Sequence, residues 1–208
     1  MLAYSYCRRK ASRASSFLVS FLALLAISLL RPRGLPAVPG LSNFLELNVR
    51  TYVHDERGVP GVWFHSLDCN QFLAVRIARS FFHLPYEHAS MEASEEPVQS
   101  FSARRHGQRE KAAFAFSPLG EAVEAEEGTL EYFLLERYVL YSHRPSGSLH
   151  EGRVHHVPYR YHRELELQSF SSLPIEWDGL PQPQKREPDH VCLAPGVEVE
   201  IFPLKRLR

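Results

Sequence analysis

Arg50 lies in the middle of a strand-like run, and the residues beside it suggest a chemical role for its charge. In the segment 47–53, a mainly apolar set of residues alternates with Asn48, Arg50 and Tyr52, a period typical of a half-buried strand. Successive side chains of a strand point to opposite faces, so these three polar side chains share one face. If that face points inward, a guanidinium flanked by an amide and a phenol suits a small carboxylate ligand. Alternatively, the face points outward, or Arg50 pairs with an internal glutamate such as Glu136.

A second cation lies in the stretch FLLERYVLY, where a helical pattern gives way to a strand pattern. Arg137 and Tyr138 stand at this boundary, and they could add a cation and a phenol to the same pocket. An equally good explanation is a buried pair between Glu136 and Arg137 that orients the helix on the sheet.

Two adjacent histidines, His155 and His156, raise the question of a metal site. Neighbouring residues on a strand point to opposite faces, so the two imidazoles cannot easily bind one ion. No HExxH or CxxC pattern accompanies them, and we therefore predict no metal and no cofactor. One of the two could still act as a general acid or base in a pocket, although a hydrogen-bonded structural imidazole is the commoner case.

The cluster of His65, Ser66 and Asp68 has the composition of a catalytic triad, but local structure explains it better. The sequence has no nucleophile elbow. Asp68 is well placed to cap a helix, with Gln71 three residues further on. The apolar stripe expected on this helix consists of Leu73, Ile77, Phe81 and Leu84.

The composition indicates a single globular domain without a nucleic-acid partner. The chain has 208 residues, 44% of them hydrophobic, which is enough for a substantial core. Its 24 basic and 24 acidic residues cancel, whereas a nucleic-acid-binding protein usually has a basic excess. Three cysteines leave one unpaired in any disulfide scheme, which favours a reducing compartment, most simply the cytoplasm.

Residues 1–30 differ in pattern from the rest of the chain. Residues 1–15 are basic, and residues 17–30 form an apolar run that is shorter than the ~20 residues a membrane-spanning helix needs. Three interpretations are open: a core strand behind an atypical leader or an incorrect start, a secretion signal with small residues at 26 and 28, or a membrane anchor. We therefore place the folded domain at residues 31–208, with a secreted or membrane-associated location as the alternative to a cytoplasmic one.

The rest of the chain predicts many short strands and two helices. Hairpins are expected over 47–67, 99–117 and 137–156, with a closing strand within 197–204. The second helix should begin near Thr129. This content predicts an α+β fold, a mainly antiparallel β-barrel or sheet with two flanking helices.

Five segments carry a more specific signal: RPRGLPAVPGLSNFLELNVRTYV, GVWFHSLDCN, ARSFFHLPYEHASM, FLLERYVLYS and GRVHHVPY. In this order and spacing, from about Arg31 to the C-terminal end, they resemble the uncharacterised bacterial family typified by YqjF. The resemblance implies a fold like that of acetoacetate decarboxylase, a β-barrel with flanking helices and an interior pocket. Members of the family usually carry further strands upstream of RPRG, where this chain has its atypical leader.

The resemblance also raises a reaction, decarboxylation through a lysine Schiff base. Such a lysine must lose its proton near neutral pH, which takes a desolvated pocket or a neighbouring cation. The chain has only Lys10, Lys111, Lys185 and Lys205, each in or beside a charged cluster and none next to another lysine, as in the decarboxylase pair. We therefore expect the fold without this mechanism, as a barrel that binds a small organic acid. The alternative is a non-catalytic structural or interaction module, held at the membrane if residues 17–30 are an anchor.

Overall fold

The computed structural model describes most of the chain, in two levels of detail. Residues 43–95, 98–144, 146–183, 187–194 and 198–207 are described in full, and residues 2–7, 19–27 and 30–32 as backbone. The helices are α1 (Phe72–Ile77), which continues into a π-helical turn (Ala78–Phe82), α2 (Leu130–Leu135) and α3 (Leu173–Trp177).

The described strands are numbered in chain order. They are β1 (Leu2–Cys7), β2 (Val19–Ile27), β3 (Leu30–Pro32), β4 (Phe44–His54), β5 (Pro60–Cys69), β6 (Tyr86–Ser94), β7 (Gln99–Arg105), β8 (Ala112–Leu119), β9 (Val123–Glu124), β10 (Val139–His143), β11 (Leu149–His155), β12 (Arg160–Tyr161), β13 (Glu164–Ser169), β14 (His190–Leu193), β15 (Val199–Ile201) and β16 (Lys205–Arg206).

Fourteen of these strands form one branched sheet, whose longest path runs β13-β8-β7-β6-β5-β10-β11-β15-β3. The branch point is β5, which pairs with β4 in antiparallel fashion and with β6 and β10 in parallel. Beyond β4, the branch continues through β2 and β1 to β14. The predicted α+β class with a mainly antiparallel sheet is confirmed, and the described pairings form an open sheet rather than a closed barrel.

The three predicted hairpins are present as β4–β5, β7–β8 and β10–β11. Thr129 caps α2 as expected, since its hydroxyl accepts a hydrogen bond from the Tyr132 amide. The elements that were not predicted include β6, β9, β12, β13, β14 and α3. Strand β6 is rich in polar residues and has no clear alternation, and α3 begins inside a proline-rich stretch that looked irregular.

The apolar run near the N-terminus includes strand β2, whose backbone pairs with β1 on one side and β4 on the other. This pairing sets Phe21 opposite Arg50 in the register. The side chains of residues 1–42, on which the leader prediction depends, lie outside the described residues. Among the described residues, the helices are all too short or too polar to cross a membrane.

Strand β4 is buried on both faces over residues 46–50, and the prediction of a half-buried strand is wrong here. Leu47 and Val49 pack in one hydrophobic core with Phe101 and Phe114. The opposite face, which carries Glu46, Asn48 and Arg50, is also buried. Polar residues on an inward face are costly unless they are paired or serve a site, which makes this face the place to look for function.

The apolar stripe expected on the first helix does not face the core. Leu73 is 56% exposed and Phe81 is 70% exposed, and only Leu84, beyond the π-helical turn, is buried. The core-facing residue of α1 is Val75 instead. The six-residue α-helix passes into a π-helical turn, and the wider turn rotates the later side chains away from the face that the 3.6-residue period predicts.

We expect Phe81→Ser to change the free energy of unfolding by no more than about 0.5 kcal/mol, because a largely exposed side chain loses little burial. Leu84→Ala should cost about 2–5 kcal/mol, as truncation of a buried leucine does. Urea unfolding of the two variants measures the difference. Equal losses of stability would show that Phe81 is covered in solution.

Asp68 does not cap the helix. The capping side chain is Gln71, whose amide oxygen accepts a hydrogen bond from the Leu73 amide. Asp68 lies in β5, is fully buried, and forms two hydrogen bonds with Arg105 at 2.6 and 2.9 Å. Arg105 also donates to Asp178, just after α3, at 2.8 Å. The ion cluster of Asp68, Arg105 and Asp178 therefore links the end of α3 to strands β5 and β7.

Candidate functional site

The inward polar face of β4 presents Arg50 to the end of helix α2. Arg50 is 8% exposed, and its Nη2 atom donates to the backbone oxygen of Leu134 at 3.3 Å. Tyr52, next on the same face, donates its hydroxyl to the same oxygen at 2.7 Å. The Nε atom of Arg50 is buried without a hydrogen-bond partner among the described residues.

Arg137 reaches the same place from the segment that follows α2. Its guanidinium carbon lies 5.7 Å from the centre of the Tyr52 ring, and that of Arg50 lies 5.6 Å from it. The Phe133 ring covers the Arg137 guanidinium, with 4.3 Å between guanidinium carbon and ring centre. The Nε atom of Arg137, like that of Arg50, is buried and lacks a partner within the described part of the chain.

These two guanidinium groups share one region without a counter-ion. None of the carboxylates that the structure describes forms an ion pair with Arg50 or Arg137. Burial lowers the pKa of Arg137, and the charge of Arg50 acts in the same direction, while Tyr52, Tyr132 and Glu136 oppose the shift. Two like charges thus lie in a partly desolvated region, and each has a buried Nε–H donor that no described residue uses.

Near the start of β4, the same face carries the buried carboxyl group of Glu46. Its two oxygens accept hydrogen bonds from the Tyr86 hydroxyl at 2.5 Å and from the Asn48 amide nitrogen at 3.0 Å. Burial raises the pKa of the Glu46 carboxyl above its ordinary value of 4.5. The amide oxygen of Asn48 is buried with no hydrogen-bond partner in the described residues.

A third group, formed around Glu136, adjoins the two arginines. One Glu136 oxygen accepts from the Tyr159 amide at 2.9 Å, and the other accepts a short hydrogen bond from the Tyr138 hydroxyl. Arg137 donates to the backbone oxygen of Glu136 rather than to its carboxylate. Burial raises the pKa of Tyr159 to about 12, with the charge of Arg50 opposing the shift and that of Glu136 adding to it.

The structure thus places the predicted site residues in different surroundings. Arg50, Tyr52 and Arg137 lie together at the end of α2, whereas Asn48 is on the same face of β4 and hydrogen-bonds to Glu46. Tyr138 stacks on His156 at 4.5 Å between ring centres, and His156 also contacts the Tyr159 ring. His155 is exposed and His156 is buried, as their positions on opposite faces of β11 and the following residue require.

The described residues contain no group of three or more histidine, cysteine or acidic side chains that could hold a metal ion. His156 has its Nδ1 atom 2.8 Å from the backbone oxygen of Val157, a structural contact. Of the lysines, Lys111 is on the surface in an ion pair with Glu92, and Lys205 is exposed. Lys10 and Lys185 lie outside the described residues.

Sequence reasoning missed Glu46, Tyr86 and Tyr159. Glu46 stands two residues before Asn48, and extending the alternation by one step would have placed it on the polar face. Tyr86 and Tyr159 come from distant parts of the chain, and the sequence holds no signal for their approach. A cleft of about 980 Å³ near the β4–β5 turn contains none of the predicted site residues.

The stability of the protein should depend on the ionisation of Glu46. Because the folded state holds the Glu46 proton to a higher pH than the unfolded chain, raising the pH above about 4.5 should destabilise the wild type relative to Glu46→Gln. The relative loss should reach up to about 1.4 kcal/mol per pH unit within that window. Urea unfolding of both proteins from about pH 5 to about pH 8 measures it. A difference that is constant with pH would contradict a buried, proton-binding Glu46.

The chain belongs to a family without a described activity. Residues 15–198 match DUF2071, whose members are described as uncharacterized conserved proteins, and the chain is a member of that family. Among curated relatives, it is 40% identical over 132 residues to the uncharacterized protein YqjF of Bacillus subtilis (strain 168). This alignment covers 62% of the chain and 54% of YqjF, so the chain spans about half the length of that relative.

Solved structures show that the fold is that of acetoacetate decarboxylase. The acetoacetate decarboxylase of Legionella pneumophila superposes with a TM-score of 0.63 at 11% identity, covering 100% of this chain and 84% of its own. Another acetoacetate decarboxylase superposes with a TM-score of 0.61 at 13% identity, and the match covers 99% of this chain and 85% of that one. An acetoacetate decarboxylase-like enzyme from Sphingomonas wittichii RW1 superposes with a TM-score of 0.52 at 13% identity, and the match covers 100% of this chain and 90% of that one. At these identities the likeness shows the fold alone.

Proposed function

We propose that this protein binds a small organic acid in its interior, with the carboxylate held between Arg50 and Arg137. The observation that supports the proposal most strongly is that two guanidinium groups beside one tyrosine ring each have a buried Nε atom without a hydrogen-bond partner among the described residues. A guanidinium offers its Nε–H and Nη–H donors in one plane, which matches the two oxygens of a carboxylate.

The energetics of the site favour an anion over a neutral ligand. Arg50 is buried beside a like charge, and a buried charge without a partner is costly. A bound carboxylate would neutralise part of this charge and fill both Nε–H donors. Tyr52 and Phe133 would form apolar and aromatic walls around the acid, with their ring centres 4.8 Å apart.

The proposal concerns binding and leaves out the imine chemistry of the decarboxylases. The neighbouring folds are named for acetoacetate, itself a small carboxylate, which agrees with an acid-binding interior. The lysines that the structure describes are exposed, so no imine-forming amine from the described residues accompanies Arg50.

Thermal unfolding in the presence of short carboxylates tests the proposal. A panel of unbranched acids should stabilise the protein, by about 2.7 kcal/mol at a concentration 100-fold above the dissociation constant. The matched amides have the same shape without the charge, and they should give no stabilisation. Equal effects of acids and amides, or no effect of any acid, would contradict binding through the two arginines.

A further inference from the structure

The Asn48 amide gives the proposed acid site a second recognition point. Asn48 is 1% exposed, and its nitrogen is committed to Glu46 at 3.0 Å. Glu46 receives a second donor, the Tyr86 hydroxyl, so two donors converge on its carboxyl group. When the Glu46 carboxyl group is ionised it can only accept hydrogen bonds, so the amide nitrogen of Asn48 faces Glu46 and the amide oxygen is left for another donor.

The amide oxygen of Asn48 is a buried acceptor with no donor among the described residues. It shares its face of β4 with Arg50, two residues further along, whose Nε is a buried donor without an acceptor. Side chains two residues apart on a strand are separated by about 6.5 Å along the chain, so the orphan donor and the orphan acceptor have different partners. A single ligand that bridges them must offer an acceptor at one end and a donor at the other.

We infer that the ligand is a short hydroxy acid, with its carboxylate on Arg50 and Arg137 and its hydroxyl donating to the Asn48 oxygen. The spacing of Asn48 and Arg50 favours a hydroxyl on the third or fourth carbon over one beside the carboxylate. This inference rests on the proposed acid site and adds the class of acid that the site selects. The site should favour a hydroxy acid over the same acid without the hydroxyl, because the latter leaves the Asn48 oxygen desolvated and unpaired.

Calorimetric titration with butyrate, 3-hydroxybutyrate and 4-hydroxybutyrate tests the inference on the unmodified protein. We expect at least one of the two hydroxy acids to bind about 5- to 10-fold more tightly than butyrate. The methyl ether of the tighter hydroxy acid has the same oxygen without the donor hydrogen. The methyl ether should therefore bind no more tightly than butyrate. This comparison uses only the wild-type protein, so it does not depend on whether a variant folds.

The variant Asn48→Leu provides a second measurement, since it removes the acceptor and keeps the number and branching of the side-chain heavy atoms. In this variant, butyrate and the hydroxy acids should bind with equal affinity. If butyrate binds to the wild type and the hydroxyl adds nothing, or if the methyl ether binds as well as the alcohol, the role of Asn48 is overturned and the acid site stands. If none of the acids binds, the proposed function itself fails.

Discussion

Arg105→Met is expected to lower the free energy of unfolding by about 3–5 kcal/mol, the largest effect on stability that we predict. Arg105 donates to both oxygens of the fully buried Asp68, and further to Ser66 and Asp178. Although burial opposes the charge, hydrogen bonds to Asp68 and Asp178 raise the pKa of Arg105 above its ordinary value. Removing the guanidinium leaves Asp68 as a buried carboxylate without a counter-ion, and that is the costly state.

The matched control is Arg104→Met, one residue earlier on β7. Arg104 is exposed, on the opposite face of the strand, and its replacement should change stability by about 0.5 kcal/mol or less. Urea unfolding at neutral pH compares the two variants directly. If their midpoints coincide, the cluster around Arg105 does not hold α3 on the sheet.

Arg50→Met is expected to weaken the binding of small carboxylates by about 10- to 100-fold, since hydrogen bonds to a charged group contribute about 1.5–3 kcal/mol. Without a ligand, the same substitution should not destabilise the protein. Its stability should be unchanged or higher, because the variant removes a buried charge that lies near Arg137 without a described carboxylate partner. The Leu134 oxygen keeps its hydrogen bond from Tyr52.

The contrast between two buried arginines makes this prediction specific. Arg105 has its carboxylates within the protein, so its loss should damage the fold, whereas Arg50 is kept at a cost that a ligand would offset. Thermal unfolding with and without acid, for wild type, Arg50→Met and the Arg104→Met control, separates the two effects. A large loss of stability in acid-free Arg50→Met would show that Arg50 is a structural residue.

The sequence predicted those parts of the fold that depend on local pattern. Turn residues and alternation placed the β4–β5, β7–β8 and β10–β11 hairpins, because a hairpin is a contact between neighbours in the chain. The parallel pairings of β5 with β6 and β10 leave no local signal, since each depends on a distant segment. For the same reason, Asp68 was assigned to the helix next to it, whereas its partner Arg105 comes from β7.

The sequence predicted the site residues within β4, but it did not predict which residues from other segments would contact them. Alternation put Asn48, Arg50 and Tyr52 on one face, and the structure buries that face. Arg137 stood out as a cation at the boundary between helix and strand, although nothing in the sequence showed that it would share the Tyr52 ring with Arg50. Whether a described carboxylate pairs with the two charges depends on how the chain packs, so the lack of such a partner could be seen only in three dimensions.

The most direct test of the acid site follows the arginine side chains themselves by nuclear magnetic resonance. The Nε–H signals of Arg50 and Arg137 can be assigned by their loss in Arg50→Lys and Arg137→Lys, and then followed during titration with a short carboxylate. The account predicts that both signals move together and saturate with one dissociation constant, since both donors acquire the same acceptor. Signals that remain in place while the acid is raised to large excess would contradict it.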